Sequence, residues 1–183
     1  MEFDVTVLDW MVDHRVDWLT TVFWIITTIG NTVSMFLLSA VLVVAVLRVG
    51  RRSDAVVVAG SMLIGWGLMN ALKFAFARER PPLPERLVDI ASHSFPSGHA
   101  MMSMLLATVA TALMLRSPHP WLHRPVLLVL PVVAALLIGF SRIYLGAHWT
   151  TDVLAGWVFG ALWGLGWNYA VRQISARNPS AER

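Results

Sequence analysis

The sequence predicts an all-α protein, a polytopic bundle of membrane-spanning helices. Two observations carry this prediction. Of the 183 residues, 57% are hydrophobic and only 14% are charged, whereas water-soluble domains carry about 25% charged residues. Much of the surface must therefore face something other than water. The apolar residues are also gathered into runs, and five of these approach the roughly 20 residues that a helix needs to cross a bilayer. Lipid offers no partner to unpaired backbone amides, so runs of this length are read as helices.

The chain opens on an acidic segment, MEFDVTVLDWMVDHR, unlike a cleavable signal peptide, which begins basic. Residues 16–29 are apolar but too few for a comfortable crossing. They read as an interfacial or re-entrant helix, with a sixth span as the alternative. Gly30 and Asn31 break this segment from the first full span, residues 32–49. The second span is 55–72, free of charge until Lys73. The third is 97–115, the fourth 125–140 and the fifth 151–171. The chain thus reads as one domain in three parts. These are an N-terminal segment (1–31), a transmembrane catalytic bundle (32–172) and a polar, frayed tail (173–183). Gly156, Gly160 and Gly164, spaced by four in the fifth span, suggest close helix packing, either within the bundle or in a homodimer. The tryptophans read as interfacial anchors or packing, and the mid-span Trp66 and Trp163 as bundle packing.

Thirteen of the fourteen basic residues are arginine, and they sit in the short connections. The net charge of +3 and pI near 10.2 therefore do not point to nucleic acid. With no cysteine, disulfide and thiol chemistry are excluded. Arg48, Arg51, Arg52, Arg116, Arg124, Arg172 and Arg177 fall on one side of a five-span topology. By the positive-inside rule that side is the cytoplasm of a cell membrane, which also receives the C-terminus. The opposite side nevertheless holds Lys73, Arg78, Arg80, Arg86 and Arg142. Cations on the wrong side call for a functional reason.

Three clusters meet on that outer side. Lys73 and Arg80, in KFAFARERP, are two helical turns apart and can share a face, with Pro81 ending the helix. Snorkelling to headgroups is the plainer alternative. Pro96-Ser97-Gly98-His99 opens the third span, where free amides, a small glycine and a hydroxyl make a phosphate cradle. Read plainly, it is a helix start capped by Ser97. Ser141-Arg142 is followed by His148 and Asp152, four residues apart and on one face if the helix begins near His148. A carboxylate on one ring nitrogen leaves the other free to attack. A structural His–Asp pair is the alternative. Asp152 is the only acidic residue between Asp89 and Glu182. Asp89 and His93 are weaker candidates for headgroup contact.

Lys73-x6-Arg80-Pro81, Pro96-Ser97-Gly98-His99 and Ser141-Arg142-x5-His148-x3-Asp152 together resemble the three signature motifs of the type 2 phosphatidic acid phosphatase superfamily. The resemblance covers about residues 50–172. It implies that His148 attacks phosphorus to form a phosphohistidine, that Asp152 orients it, and that His99 protonates the leaving group. It also implies that Lys73, Arg80, Ser97, Gly98 and Arg142 hold the phosphate, with no metal or other cofactor. The implied substrate is a lipid phosphate at the outer leaflet. Polyprenyl diphosphate (undecaprenyl or decaprenyl, in cell-wall recycling) comes first. Phosphatidylglycerophosphate, phosphatidate and polyprenyl-phosphoryl sugar phosphates follow. A haloperoxidase with the same anion pocket is disfavoured by five spans. An anionic-lipid flippase would not need the His148–Asp152 pair and a second histidine.

Overall fold

The computed structural model describes residues 1–88 and 90–177, and every regular element among them is helical. The elements are α1 (Glu2–Asp13), α2 (Asp17–Ile29), α3 (Thr32–Arg48), α4 (Arg52–Phe76), α5 (Gly98–Leu115), α6 (Pro125–Tyr144) and α7 (Thr150–Arg177), with a 3₁₀ turn at Pro120–His123. Asp89 and residues 178–183 lie outside the described residues.

By length and composition α4, α5 and α6 can each cross a membrane, and α2 with α3 add a fourth crossing if the pair is one broken span. The two meet at 50°. At the bend a Cβ on Gly30 would come within 2.2 Å of Ile138 on α6, so the missing side chain lets the chain pass close to the neighbouring helix. Asn31 then starts α3, its side chain accepting from the Ser34 amide at 2.9 Å. Neither α3 alone, at 17 residues, nor α7, with Gly, Trp and Asn along its length, meets the same standard. Five crossings are therefore more than length and composition establish. Outward-facing Leu37, Val41, Leu63, Leu130 and Leu162 are all exposed, an apolar girdle suited to lipid.

The core is built on α5. Its Met102, Leu105 and Val109 pack with Val57, Val58 and Met62 of α4 and Met35 of α3. The glycine stripe of α7 faces α5. Cβ atoms on Gly156, Gly160 and Gly164 would meet Ser97 O at 2.8 Å, Met101 O at 2.3 Å and the Thr108 side chain at 3.2 Å. The stripe is thus used inside the chain. A second cluster joins Met11 of α1 and Phe23 of α2 to Ile143 and Tyr144 of α6, with Phe23 and Tyr144 rings 4.5 Å apart.

Three expectations change. Residues 173–177 are not frayed. α7 continues through them, because Arg, Gln and Ala are good helix formers once the chain leaves the bilayer. Before that, Arg172 is tied to the buried Asp54, which also pairs with Arg51 and Arg116. α4 stops at Phe76, with Ala77 left-handed at φ 43°, so Arg80 lies beyond the helix and does not share its face with Lys73. Finally α7 begins at Thr150, after His148 rather than with it.

Candidate active site

The ends of three helices converge at one end of the bundle. They bring Lys73 from α4, Gly98 and His99 from α5, and Arg142 from α6 around a cavity of about 220 Å³. Arg80 from the α4–α5 loop and His148 from the α6–α7 turn join them, and Asn70 and Ser92 add further polar lining. Thr32, Trp66, Met69 and Ile90 supply an apolar side. Trp66 therefore borders the cavity, rather than serving the core alone, and its ring meets Phe36 edge-on.

Lys73 and Arg80 are held by backbone carbonyls, and Arg142 by a side chain. Lys73 Nζ donates to the His93 carbonyl at 2.7 Å. Arg80 donates through Nε to Ser92 O at 2.7 Å, and through Nη1 to Ala147 O at 2.6 Å. Arg142 Nη1 donates to Thr27 Oγ1 at 2.6 Å, while its buried Nε has no protein partner. His93 contributes its carbonyl, and its ring is turned to Phe74.

His148 is 3% exposed. Arg80 Nη1 lies 3.0 Å from its Nε2. An arginine can only donate, so Nε2 must be the accepting, unprotonated nitrogen and Nδ1 carries the proton. Nδ1 faces Asp152 Oδ2 at 3.5 Å. Burial pushes the His148 pKa well below the ordinary histidine value, and the cations Arg80, Arg142 and Lys73 push it further. The ring is neutral at physiological pH. Arg80, lowered to about 10 by burial and by neighbouring Arg86, remains charged.

Asp152 is fully buried behind His148. Its Oδ2 accepts from Ser94 Oγ and from the Trp149 amide at 3.0 Å, and its Oδ1 accepts from Arg78. Its backbone carbonyl takes the Ser97 amide at 3.0 Å, locking α5 to α7 at the site. Ser97 occupies the N-cap position of α5 without capping it. Its Oγ is buried and has no protein partner. A Cβ on Gly98 would come within 3.0 Å of Met69 Sδ, so glycine here makes room for the Met69 side chain of α4.

All eight residues expected from the sequence thus fall in one region, with Ser97 and Asp152 just behind the cavity wall. Sequence reasoning missed Ser94, Thr27 and Asp4. None belongs to a motif, and only the folded chain brings them near. Arg78 was visible as an outer-side cation without a role.

Residues 54–176 match the sequence profile of the PAP2 superfamily. An undecaprenyl-diphosphatase of Sulfolobus acidocaldarius is 35% identical over 106 residues, covering 55% of this chain and 47% of that protein. Phosphatidylglycerophosphatase B of Bacillus subtilis is 38% identical over 96 residues, covering 52% of this chain and 47% of that protein. The chain therefore spans about half the length of these curated relatives. The crystal structure of a transmembrane PAP2 type phosphatidylglycerolphosphate phosphatase from Bacillus subtilis superimposes with a TM-score of 0.80 at 30% identity. That match covers 95% of this chain and 85% of that one.

Proposed function

The chain belongs to the PAP2 superfamily, and from that premise we propose that it is a membrane lipid phosphatase working through a phosphohistidine on His148. The observation that carries this reading is the polarity of the His148 ring. Nε2 accepts from Arg80 inside the cationic cavity, and Nδ1 is turned to a buried carboxylate.

In the first step the Nε2 lone pair attacks the terminal phosphorus, and its bond to the leaving oxygen breaks, the bridging oxygen of a diphosphate or the ester oxygen of a monophosphate. Arg80, Lys73 and Arg142 neutralise the phosphoryl oxygens, with help from the amides at the start of α5. His99, across the cavity, gives a proton to the leaving oxygen. Asp152 faces the charge that develops on the ring as the N–P bond forms. In the second step His99 takes a proton from water, which attacks the phosphohistidine. Inorganic phosphate leaves and His148 is regenerated. Every role here is met by a residue of this chain, without a metal.

The substrate class is a lipid phosphate or diphosphate. We place polyprenyl diphosphate first, in line with the relative named as an undecaprenyl-diphosphatase. Phosphatidylglycerophosphate comes second, in line with the names of the Bacillus relative and the Bacillus structure. We further propose five crossings, α3 to α7, with α2 at the interface, the site on the outer face and the C-terminus in the cytoplasm of a cell membrane. The arginines at the far end support that orientation.

Phosphate release from these lipids in EDTA tests the reading. Wild type releases phosphate, and His148→Ala loses at least about 1,000-fold in kcat, as expected when a nucleophile is removed. Equal release by both proteins, or a strict magnesium requirement, overturns it.

A further inference from the structure

The N-terminal helix places a buried acid, Asp4, beside the catalytic end of α7. Asp4 is 3% exposed. Its Oδ1 accepts from the Thr151 amide at 2.9 Å. Its Oδ2 accepts from Thr151 Oγ1 at 2.7 Å and from Arg78 Nη2 at 2.7 Å. Arg78 in turn donates through Nη1 to Thr151 Oγ1 at 2.8 Å and to Asp152 Oδ1. The Thr151 hydroxyl thus donates once and accepts once, and each terminal nitrogen of the guanidinium meets its own carboxylate. The Arg78 guanidinium carbon lies over the Trp149 ring, 5.7 Å from its centroid, within cation–π range. Arg78 does not line the cavity, so the phosphate is not its target.

We propose that Asp4 is a positioning residue for phosphoryl transfer, holding Arg78 so that Arg78 holds Asp152 squarely behind His148. This rests on the phosphatase reading above. The argument is one of geometry and charge. Asp152 Oδ2 must face His148 Nδ1 while the ring gains positive charge, and Oδ1 must therefore be restrained elsewhere. A guanidinium left without its second carboxylate can take Asp152 through both nitrogens, which turns Oδ2 away from the ring and spreads the carboxylate's charge over a fork. Asp4 occupies the second nitrogen and prevents this. It also caps the first turn of α7, on which Asp152 stands. Two further bonds hold the N-terminal segment in place, Arg15 Nε to Tyr144 O at 3.1 Å and the Val16 amide to Tyr144 Oη at 3.1 Å.

The test uses the full chain in detergent, a short prenyl diphosphate as substrate and inorganic vanadate as the probe of anion binding. Asp4→Asn keeps an oxygen for the Thr151 amide but loses the charge. It is expected to lower kcat between about tenfold and a hundredfold, the weight of a charged hydrogen bond. KM and vanadate inhibition stay within about twofold, since ground-state binding is untouched. In combination with Arg78→Gln the losses do not add, because Asp4 acts through Arg78. Arg78→Lys, which keeps the charge but cannot bridge two carboxylates, loses kcat as Arg78→Gln does. Additive losses, vanadate affinity falling in step with kcat, or wild-type kcat in Asp4→Asn or Arg78→Lys would each overturn the proposal. Wild-type turnover and its loss in His148→Ala are measured alongside. A wild type that releases no phosphate fails the phosphatase reading, whereas an active wild type matched by Asp4→Asn fails this one alone.

Discussion

His148 shows how much of a residue's chemistry comes from its neighbours. Free histidine is half protonated near pH 6.5, and the protonated ring has no lone pair free for attack at either nitrogen. Here burial acts first and three cations add to it: Lys73 on α4, Arg80 in the loop and Arg142 on α6, with His99 of α5 beside them. Asp152 on α7 opposes them from behind. The net direction is downward. In the proposed mechanism the neutral ring is the reactive form, so it persists as pH falls below 6.5 and is lost only when the lowered pKa is reached. The acid limb of kcat/KM, which reports the free enzyme, should therefore lie below pH 6.5 on a short prenyl diphosphate. A limb at or above 6.5 would mean that the cations do not act on the ring as the structure places them. Ser94 belongs to the same scale. Its hydroxyl donates to Asp152 and lies 3.4 Å from His148 Nδ1, a link between acid and ring that no motif contains.

Among the elements, the contact between α5 and α7 matters most, because these helices carry His99 and Asp152. Their approach depends on glycine. At Gly160 a Cβ would sit 2.3 Å from the Met101 carbonyl, and backbone cannot move aside as a flexible side chain can. Gly160→Val should therefore destabilise the fold by about 3 kcal/mol, at the upper end of the overpacking range. A fall in the thermal aggregation midpoint in detergent would report it. An unchanged midpoint would show that the helices can separate without cost. The same substitution at Gly166, where a Cβ meets nothing within 4 Å, is the matched control. The end of α4 is the other decisive element. Its left-handed Ala77 returns the chain across the cavity and delivers Arg80 from the loop, a route that helical spacing did not foresee.

At the scale of the molecule, charge is sorted to two ends. The site gathers Lys73, Arg80 and Arg142 around a cavity. The far end gathers Arg51, Arg116 and Arg172 around one carboxylate, Asp54. With no native cysteine, single cysteines can report which end faces the cytoplasm. Ala91→Cys, in the loop beside the site, should react with a membrane-impermeant maleimide in intact cells. Gln173→Cys, near the end of α7, should react only after permeabilisation. The opposite pattern would invert the proposed orientation.

The sequence by itself determined the helical class and the chemistry of the motifs. The long apolar runs leave the backbone no other way to satisfy its amides in lipid, and Lys73, Arg80, His99, Arg142, His148 and Asp152 stand out by type at the helix ends, their roles being implied by the family resemblance of the three motifs. It also located most helix cores, because apolar runs set these locally. Only the tertiary structure decided how the site is held. His148 sits in a turn rather than on α7, Arg142 is anchored by Thr27 from a helix 115 residues earlier, and the acidic N-terminus folds back to place Asp4 on Arg78. These contacts join residues far apart in the chain, and side-chain hydrogen bonds of that kind leave no periodicity to read. The glycine stripe had two possible partners, and the packing of α7 against α5 within this chain chose one of them.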